Sequence, residues 1–388
     1  MENKKHILFI SSWYPNRNNP THGIFNRYFA DAAAIYNQIS VIHVCSDEQL
    51  KSEFECVEST ENGILSITVY YRKVNSSIPL ISHLLKRKKV LQAFDLAFQK
   101  LIQKVSKPDL IQLNVVLPMG LGAYHLSQKH KIPYVVNENW SGYCAEDGNY
   151  RGFVMKYLTQ KIIRSAKKIM PTSNYLKEAM LAQQLNGSYE VVPNVVNVQR
   201  FKPLEEMTHA KTKLLHISSL NDREKNVSGL IRAFAMVLKT EQELELKIVG
   251  EGIDKEVYQK LVSGLNIGKY VHFVGRLMAD DLVKTINAND ALIMFSNYET
   301  FSLVIIEAFA CGKPVITSNA GAIAGYMKPE LGIMVNKNNE KQLSEAILNF
   351  TKVKNKFDHN LIRKFAVENY SYEKIGEKLN EIYRDVLK

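Results

Sequence analysis

The sequence predicts an α/β protein of two domains, each built on a mainly parallel sheet. Three observations carry that expectation. Short apolar runs suited to burial on both faces, such as Ile7–Ile10 and Ala291–Phe295, alternate with helical patterns along the chain. Its 388 residues exceed one typical domain and can bury two sizeable cores. Between the halves, Val192-Pro193-Asn194 marks an extended, turning path before strands resume at Lys213.

In the first half, Ile7–Ile10 is a strand and Ser11 to Gly23 a long polar loop with Pro15 and Pro20. A helix follows from about Ile24 to Tyr36, with Phe25, Phe29, Ala32 and Ala33 along one side. Gly23, just before it, lets the backbone approach a phosphate or sugar closely, and His22 lies beside it. Strands are expected at Ile39–Val44, Ile64–Tyr71, Asp109–Leu113, Tyr134–Val136 and Ile169–Pro171. Helices are expected at Leu84–Val105, Gly120–Lys129 and Lys156–Ala166, and Ser173 is a good N-cap for another. Glu190–Val192 closes the domain. Glu138 and Asn139 follow a strand at its carboxyl end, where open α/β sheets bind ligands, so both are site candidates.

The second half restarts with the strand Lys213–Ser218, the loop Ser219 to Asn226 and an amphipathic helix through Leu230, Ala233, Phe234 and Val237. Leu246–Val249 ends in Gly250-Glu251-Gly252, and Val271–Val274 ends in Gly275-Arg276. A helix around Asp281–Ala288 leads to Ala291–Phe295. Beyond that strand, Glu299 lies in the loop, and Glu307 interrupts a short helix otherwise made of Leu303, Val304, Ile305, Ile306, Ala308 and Phe309. An ionised group on so apolar a helix is costly unless something polar meets it. The amides of Thr300, Phe301 and Ser302 at that helix's start can hold a phosphate. Cys311-Gly312-Lys313-Pro314 stops the helix before the strand Val315–Thr317. Ser344–Phe350 and Leu361–Tyr370 read as helices, and a last one from about Tyr372 to Leu387 has Ile375, Leu379, Ile382 and Tyr383 on one face.

Glu299, Phe301, Glu307, Ala308, Ala310, Gly312, Pro314 and Val315 match the pattern E-G-F-G-x-x-x-x-E-A-x-A-x-G-x-P-V. The chain thereby resembles the retaining family 4 glycosyltransferases, also known as group 1 glycosyl transferases. Thr300 and Ser302 stand where glycines are common in them. The resemblance covers nearly the whole chain, most strongly from about 213 to 335. Val192-Pro193-Asn194-Val195-Val196-Asn197, with Phe201 and Pro203, resembles the family's segment between domains, Val195 and Asn197 replacing the usual glycine and aspartate.

This resemblance implies the GT-B fold, two Rossmann-like domains facing across a cleft. Residues 1–195 would bind the acceptor and 196–371 the nucleotide sugar, while 372–388 form a helix that packs back on the first domain. It implies a sugar moved from a nucleotide-diphosphate sugar to a hydroxyl acceptor with retained configuration, in surface polysaccharide or glycolipid synthesis. Glu307 would hold the ribose hydroxyls and Glu299 orient the donor sugar. Lys225 and the amides near Phe301 and Ser302 would neutralise the departing diphosphate. Gly250, Gly252 and Arg276 would line base and phosphate, and Gly23 would sit between diphosphate and acceptor. Two positions depart from the family. Ser219 replaces an arginine that grips the diphosphate, and Arg223 in the same loop is the available second cation. One fixed charge of this kind contributes about 3–4 kcal/mol. Asn139 stands where relatives often have histidine; asparagine is no base but donates and accepts hydrogen bonds. In such enzymes the leaving phosphate is thought to take the acceptor's proton. No cofactor beyond the donor is expected, and no D-x-D pair follows a strand, so transfer without a metal is expected.

A hydrophobic fraction of 46% and a charged fraction of 23% are ordinary for a soluble globular protein. Cys45, Cys56, Cys144 and Cys311 have no metal or C-x-x-C spacing, which suits reduced thiols. With no run long enough to span a bilayer, a cytoplasmic protein is expected, at most lying on the membrane's inner face. The net charge of +11 is uneven: residues 1–200 carry +9 and residues 201–388 carry +2. Lys86-Arg87-Lys88-Lys89, after Ile78-Pro79-Leu80-Ile81, and the stretch Arg151 to Lys168 concentrate it. Basic segments with apolar neighbours can dock on anionic membranes, while a solvated helix face is the other reading of Arg151 to Lys168; the acceptor half is a natural place for a glycan or lipid-linked acceptor. No nucleic-acid motif accompanies the charge. Two other functions fit the same sequence: a non-catalytic nucleotide-sugar-binding protein, given Asn139 and Ser219, or a nucleotide-sugar epimerase of the same fold. An oxidoreductase is disfavoured by the missing G-x-G-x-x-G after the first strand.

Overall fold

A computed structural model describes residues 4–20, 22–73, 79–205 and 211–388, with the backbone alone for 79–84 and 279. Thr21 of the first loop and Ile78 of the basic stretch lie outside the described residues. The chain forms two compact units, one of residues 1–195 with 372–388 and one of residues 196–371.

Unit 1 runs β1 (His6–Ser11), α1 (Ile24–Ala34), β2 (Gln38–Asp47), β3 (Phe54–Glu61), β4 (Ile64–Arg72), α2 (Pro79–Ile102), β5 (Leu110–Asn114), α3 (Gly120–His130), β6 (Tyr134–Glu138), α4 (Phe153–Ser165), β7 (Lys168–Pro171) and α5 (Asn174–Ala182). Its sheet has the order β3-β4-β2-β1-β5-β6-β7, parallel except for the β3–β4 hairpin. Helices on both faces explain why β1, β5 and β6 are buried at every residue.

The edge strand β3 is absent from the sequence reading. Its last five residues are exposed, so no apolar run marks it. The signal was the turn: Asn62 and Gly63 take φ of 52° and 76°, the pair of positive values a two-residue hairpin needs. Glu190–Val192, read as closing the domain, is extended beside β7 without forming a strand, with one isolated bridge at Tyr189.

Unit 2 runs β8 (Thr212–Ile217), α6 (Asp222–Lys225), α7 (Val227–Val237), β9 (Leu244–Val249), α8 (Lys255–Gly264), β10 (Val271–Gly275), α9 (Ala279–Asn287), β11 (Ala291–Met294), α10 (Leu303–Ala310), β12 (Val315–Ser318), β13 (Gly332–Val335), α11 (Glu340–Val353) and α12 (His359–Tyr370). Its sheet is parallel throughout, in the order β10-β9-β8-β11-β12-β13. α8 and β13 extend the sequence reading.

The last helix, α13 (Tyr372–Val386), belongs to unit 1 and packs along α1. Ile375, Leu379, Ile382 and Tyr383 are buried there with Phe29, Ala32 and Ala33. Each large apolar side chain so covered stabilises the contact by roughly 1.5–3 kcal/mol. The Tyr383 hydroxyl reaches Gln112 of β5 beneath the helix. Among the described residues no helix is long and apolar enough to cross a membrane.

Candidate functional site

Among its parallel strands each sheet reverses order once, and a parallel sheet opens a crevice for ligands at such a point. In unit 2 the reversal falls between β8 and β11. The loops leaving these two strands are tied together. Asn297 donates from its backbone to the Glu224 carbonyl at 2.8 Å and from its side chain to the Arg223 carbonyl at 3.0 Å. The clamp brings Lys225 Nζ to 2.8 Å from Glu299 Oε1, and Ser296 Oγ donates to the same oxygen at 2.9 Å. Their side chains are 16% and 8% exposed, so the pair is well shielded from screening. Burial opposes the Lys225 ammonium, but the charge and hydrogen bond of Glu299 outweigh it and raise its pKa above the usual lysine range. A charged pair thus stands at the switch point.

His216 of β8 supports this corner. It is wholly buried, with Nδ1 2.9 Å from the Ile293 carbonyl and Nε2 2.7 Å from Ser218 Oγ. Burial pushes its pKa down to about 4, and Lys225 adds to the shift, so the ring is neutral.

α10 starts at Leu303, one short turn of chain beyond Glu299. Its N-cap, Ser302, holds φ 75° and ψ 91°, a conformation easier for the glycine common at this position in the resembling family. The Ser302 hydroxyl is buried and has no hydrogen-bond partner among the described residues. Thr300 is half-buried beside it. Phe301 is expected to offer its backbone amide, and the structure adds what its ring does. Its ring is in the core, 5.3 Å from the Tyr326 ring and 5.4 Å from that of Tyr370, and its carbonyl accepts from the Tyr326 hydroxyl at 2.6 Å. Only its amide remains for a ligand.

Glu307 is 4% exposed, and no described residue donates a hydrogen bond to its carboxylate. Burial alone raises its pKa to about 8. A buried carboxyl without a protein partner costs stability and is the arrangement expected of a group that meets a ligand.

Gly250 and Gly252 are needed by the backbone. A Cβ at Gly250 would lie 1.9 Å from the Ser218 carbonyl oxygen, and one at Gly252 would lie 2.3 Å from that of Leu220. The turn after β9 therefore docks directly on the chain after β8, held by Leu220 N to Glu251 O and Asp254 N to Leu220 O, both 3.1 Å. Ser219 and Arg223 are exposed on that chain, and Arg276 is exposed beyond β10.

In unit 1 the reversal falls between β1 and β5. Ser12 joins the two exits: its amide donates to Asn114 O at 3.0 Å, its hydroxyl donates to Val115 O at 2.7 Å and accepts from Met119 N at 3.0 Å. Val115 is held at φ 61°, costly for a β-branched residue and a mark of local strain. Glu138, a site candidate in the sequence, has both carboxylate oxygens satisfied within its own unit. Oε1 accepts from the amides of Asn139 and Trp140, both at 2.9 Å, and Oε2 from Val116 N at 3.0 Å and Tyr143 OH at 3.1 Å. Burial still outweighs these donors and raises its pKa. Glu138 thereby positions the loop that carries Asn139 and Trp140. Asn139 donates its side-chain amide to Asn137 Oδ1 at 2.7 Å. Gly23, at φ 65°, caps α1, and a Cβ there would lie 2.3 Å from the Trp13 carbonyl oxygen, so the turn itself demands glycine. His22 is exposed near the Trp13 ring.

The structure therefore joins Lys225 with Glu299 and sets the start of α10 directly beyond them, while Gly23, His22, Glu138 and Asn139 lie in unit 1. Sequence reasoning missed Ser12, Val115, His216 and Ser296. Ser296 directly follows the expected strand Ala291–Phe295 and Ser12 comes two residues after Ile7–Ile10, and a position at a strand's carboxyl end is the one signal that could have singled them out.

A family model described as "Glycosyl transferases group 1" matches residues 199–368, and one described as "Glycosyltransferase Family 4" matches residues 56–200. The chain is similar to the N-acetyl-alpha-D-glucosaminyl L-malate synthase of Bacillus anthracis, 24% identical over 59% of this chain and 57% of that protein. It is 23% identical to the alpha-monoglucosyldiacylglycerol synthase of Streptococcus pneumoniae, over 74% of this chain and 68% of the relative. The first match thus spans little more than half of that relative's length. Among solved structures, Anabaena Alr3699/HepE in complex with UDP superposes with a TM-score of 0.71 at 16% identity, covering 98% of this chain and 100% of that one. The fold is GT-B, as the resemblance in the sequence implied.

Proposed function

The chain belongs to the group 1 and family 4 glycosyltransferases, and from that premise we propose that it moves a sugar from a nucleotide-diphosphate sugar to a hydroxyl acceptor with retained configuration. The observation that carries this reading is the Lys225–Glu299 contact of 2.8 Å between the exits of β8 and β11. The bond from the sugar's anomeric carbon to the diphosphate breaks, and a bond to the acceptor oxygen forms on the same face. The acceptor's proton passes to the leaving phosphate. Negative charge grows on that phosphate, and a fixed cation with the amide end of α10 beside it lowers the barrier. Lys225 serves as that cation. Glu299, fixed by Lys225 and Ser296, orients the donor sugar. Glu307, with no described protein donor of its own, accepts hydrogen bonds from the ribose hydroxyls.

The structure of a GT-B protein holding UDP supports a nucleotide donor. A relative named for a diacylglycerol product supports a glycan or lipid-linked acceptor in glycolipid or surface polysaccharide synthesis. The charge-neutralising groups are the protein's own, so a chelator should leave the rate unchanged.

Incubation with a panel of nucleotide-diphosphate sugars tests the reaction. At least one donor should be consumed, and Glu299→Gln should slow it about 10²–10³-fold, the range for loss of one preorganised polar group. Turnover independent of Glu299, or a donor converted to its epimer without any acceptor, would refute the assignment.

A further inference from the structure

We propose that the first turns of α4 are an insertion patch for an anionic lipid bilayer. The inner side of this helix is accounted for: Thr159, Ile162 and Ile163 are buried against unit 1. Its outer side is not. Phe153 is 84% exposed, Val154 67% and Tyr157 56%, and the Phe153 and Tyr157 rings stack with centroids 6.3 Å apart. Single exposed apolar residues are ordinary, but three adjoining on one turn mark a contact surface. Two of them are aromatic, the class that settles at the headgroup level of membranes.

The charge around the patch selects the partner. Residues 148–177 contain seven Lys and Arg and no Asp or Glu. Arg151, Lys156, Lys161, Arg164 and Lys167 all lie exposed, and none pairs with a described carboxylate. Lys156 and Lys161 rest over the Tyr150 and Tyr124 rings, at 5.7 and 5.0 Å, which holds these cations at the same surface. α2, whose Lys86, Arg87 and Lys88 are also exposed, packs with α4 on either side of α3. Apolar side chains at one end of a helix, followed by unpaired cations along its outer stripe, match an anionic headgroup layer over hydrocarbon. The patch lies within unit 1 alone, and its test reads lipid partitioning without sugar transfer. Its failure would leave the proposed reaction standing.

The full chain is floated with phosphatidylcholine vesicles, with and without phosphatidylglycerol. It should float only with the anionic vesicles and be released by high salt. Phe153→Ser/Tyr157→Ser should lower the partition at least about tenfold through lost apolar insertion. Lys156→Glu/Arg164→Glu should lower it about fivefold or more per reversed cation. All four side chains are exposed, so unchanged melting curves verify folding. Absent flotation, flotation that ignores phosphatidylglycerol, or unchanged binding of the aromatic variant would overturn the proposal. So would a wild-type dimer broken by that variant, which would give the patch to a second copy of the chain.

Discussion

Glu307 places a carboxyl inside unit 2 with no described donor, and its proton equilibrium follows from that isolation. In the fold its pKa is about 8, against 4.5 for the ordinary side chain. Between those values the folded protein binds more protons than the unfolded chain, so stability falls as pH rises through the window. The slope reaches at most about 1.4 kcal/mol per pH unit. Glu307→Gln should remove this contribution. Urea unfolding across the window should show the variant gaining on the wild type as pH rises, and a constant difference would contradict the isolated carboxyl. Glu299 and Lys225 were legible because charged residues at strand exits stand out by type. Val115 and Ser12 were not: a left-handed valine and a hydroxyl spanning two strand exits have no signature in residue identity.

At the scale of elements, apolar strands such as β1, β5 and β11 announce themselves because both faces are covered. β3 does not, since an edge strand needs only one partner and carries charges that discourage another. The last helix was visible by its apolar stripe, but its closeness to α1 was not. Gly376 sets that closeness: a Cβ there would lie 2.3 Å from the Ala32 carbonyl oxygen. Gly376→Ala should therefore force α13 off α1 and destabilise unit 1 by about 1–3 kcal/mol, as overpacking does. Its denaturation midpoint should fall, and an unchanged midpoint would show that the helices can separate freely. Phe301 illustrates the opposite limit. Its place in the motif was legible, whereas the burial of its ring against Tyr326 and Tyr370 depends on residues far along the chain.

Across the whole molecule, the parallel strands of each sheet reverse order once, and the candidate groups gather near the reversals. Length, alternation and the break at Pro193 made the two-domain plan legible. The sugar, base and acceptor were not, because loop shapes set them and no residue pattern encodes those shapes. The positive excess belongs to the first half, and there the structure separates a solvated helix face from an apolar tip, which periodicity alone does not do.

Thermal unfolding of the wild type and Lys225→Ala with a panel of nucleoside diphosphates tests the switch-point site most directly. A ligand at about 100 times its Kd stabilises the native state by about 2.7 kcal/mol. At least one nucleoside diphosphate should raise the wild-type Tm by several degrees, on the order expected from that energy, and most of the shift should vanish in Lys225→Ala. A wild type that none of them stabilises, or a variant that responds equally, would contradict a diphosphate site built on Lys225 and Glu299.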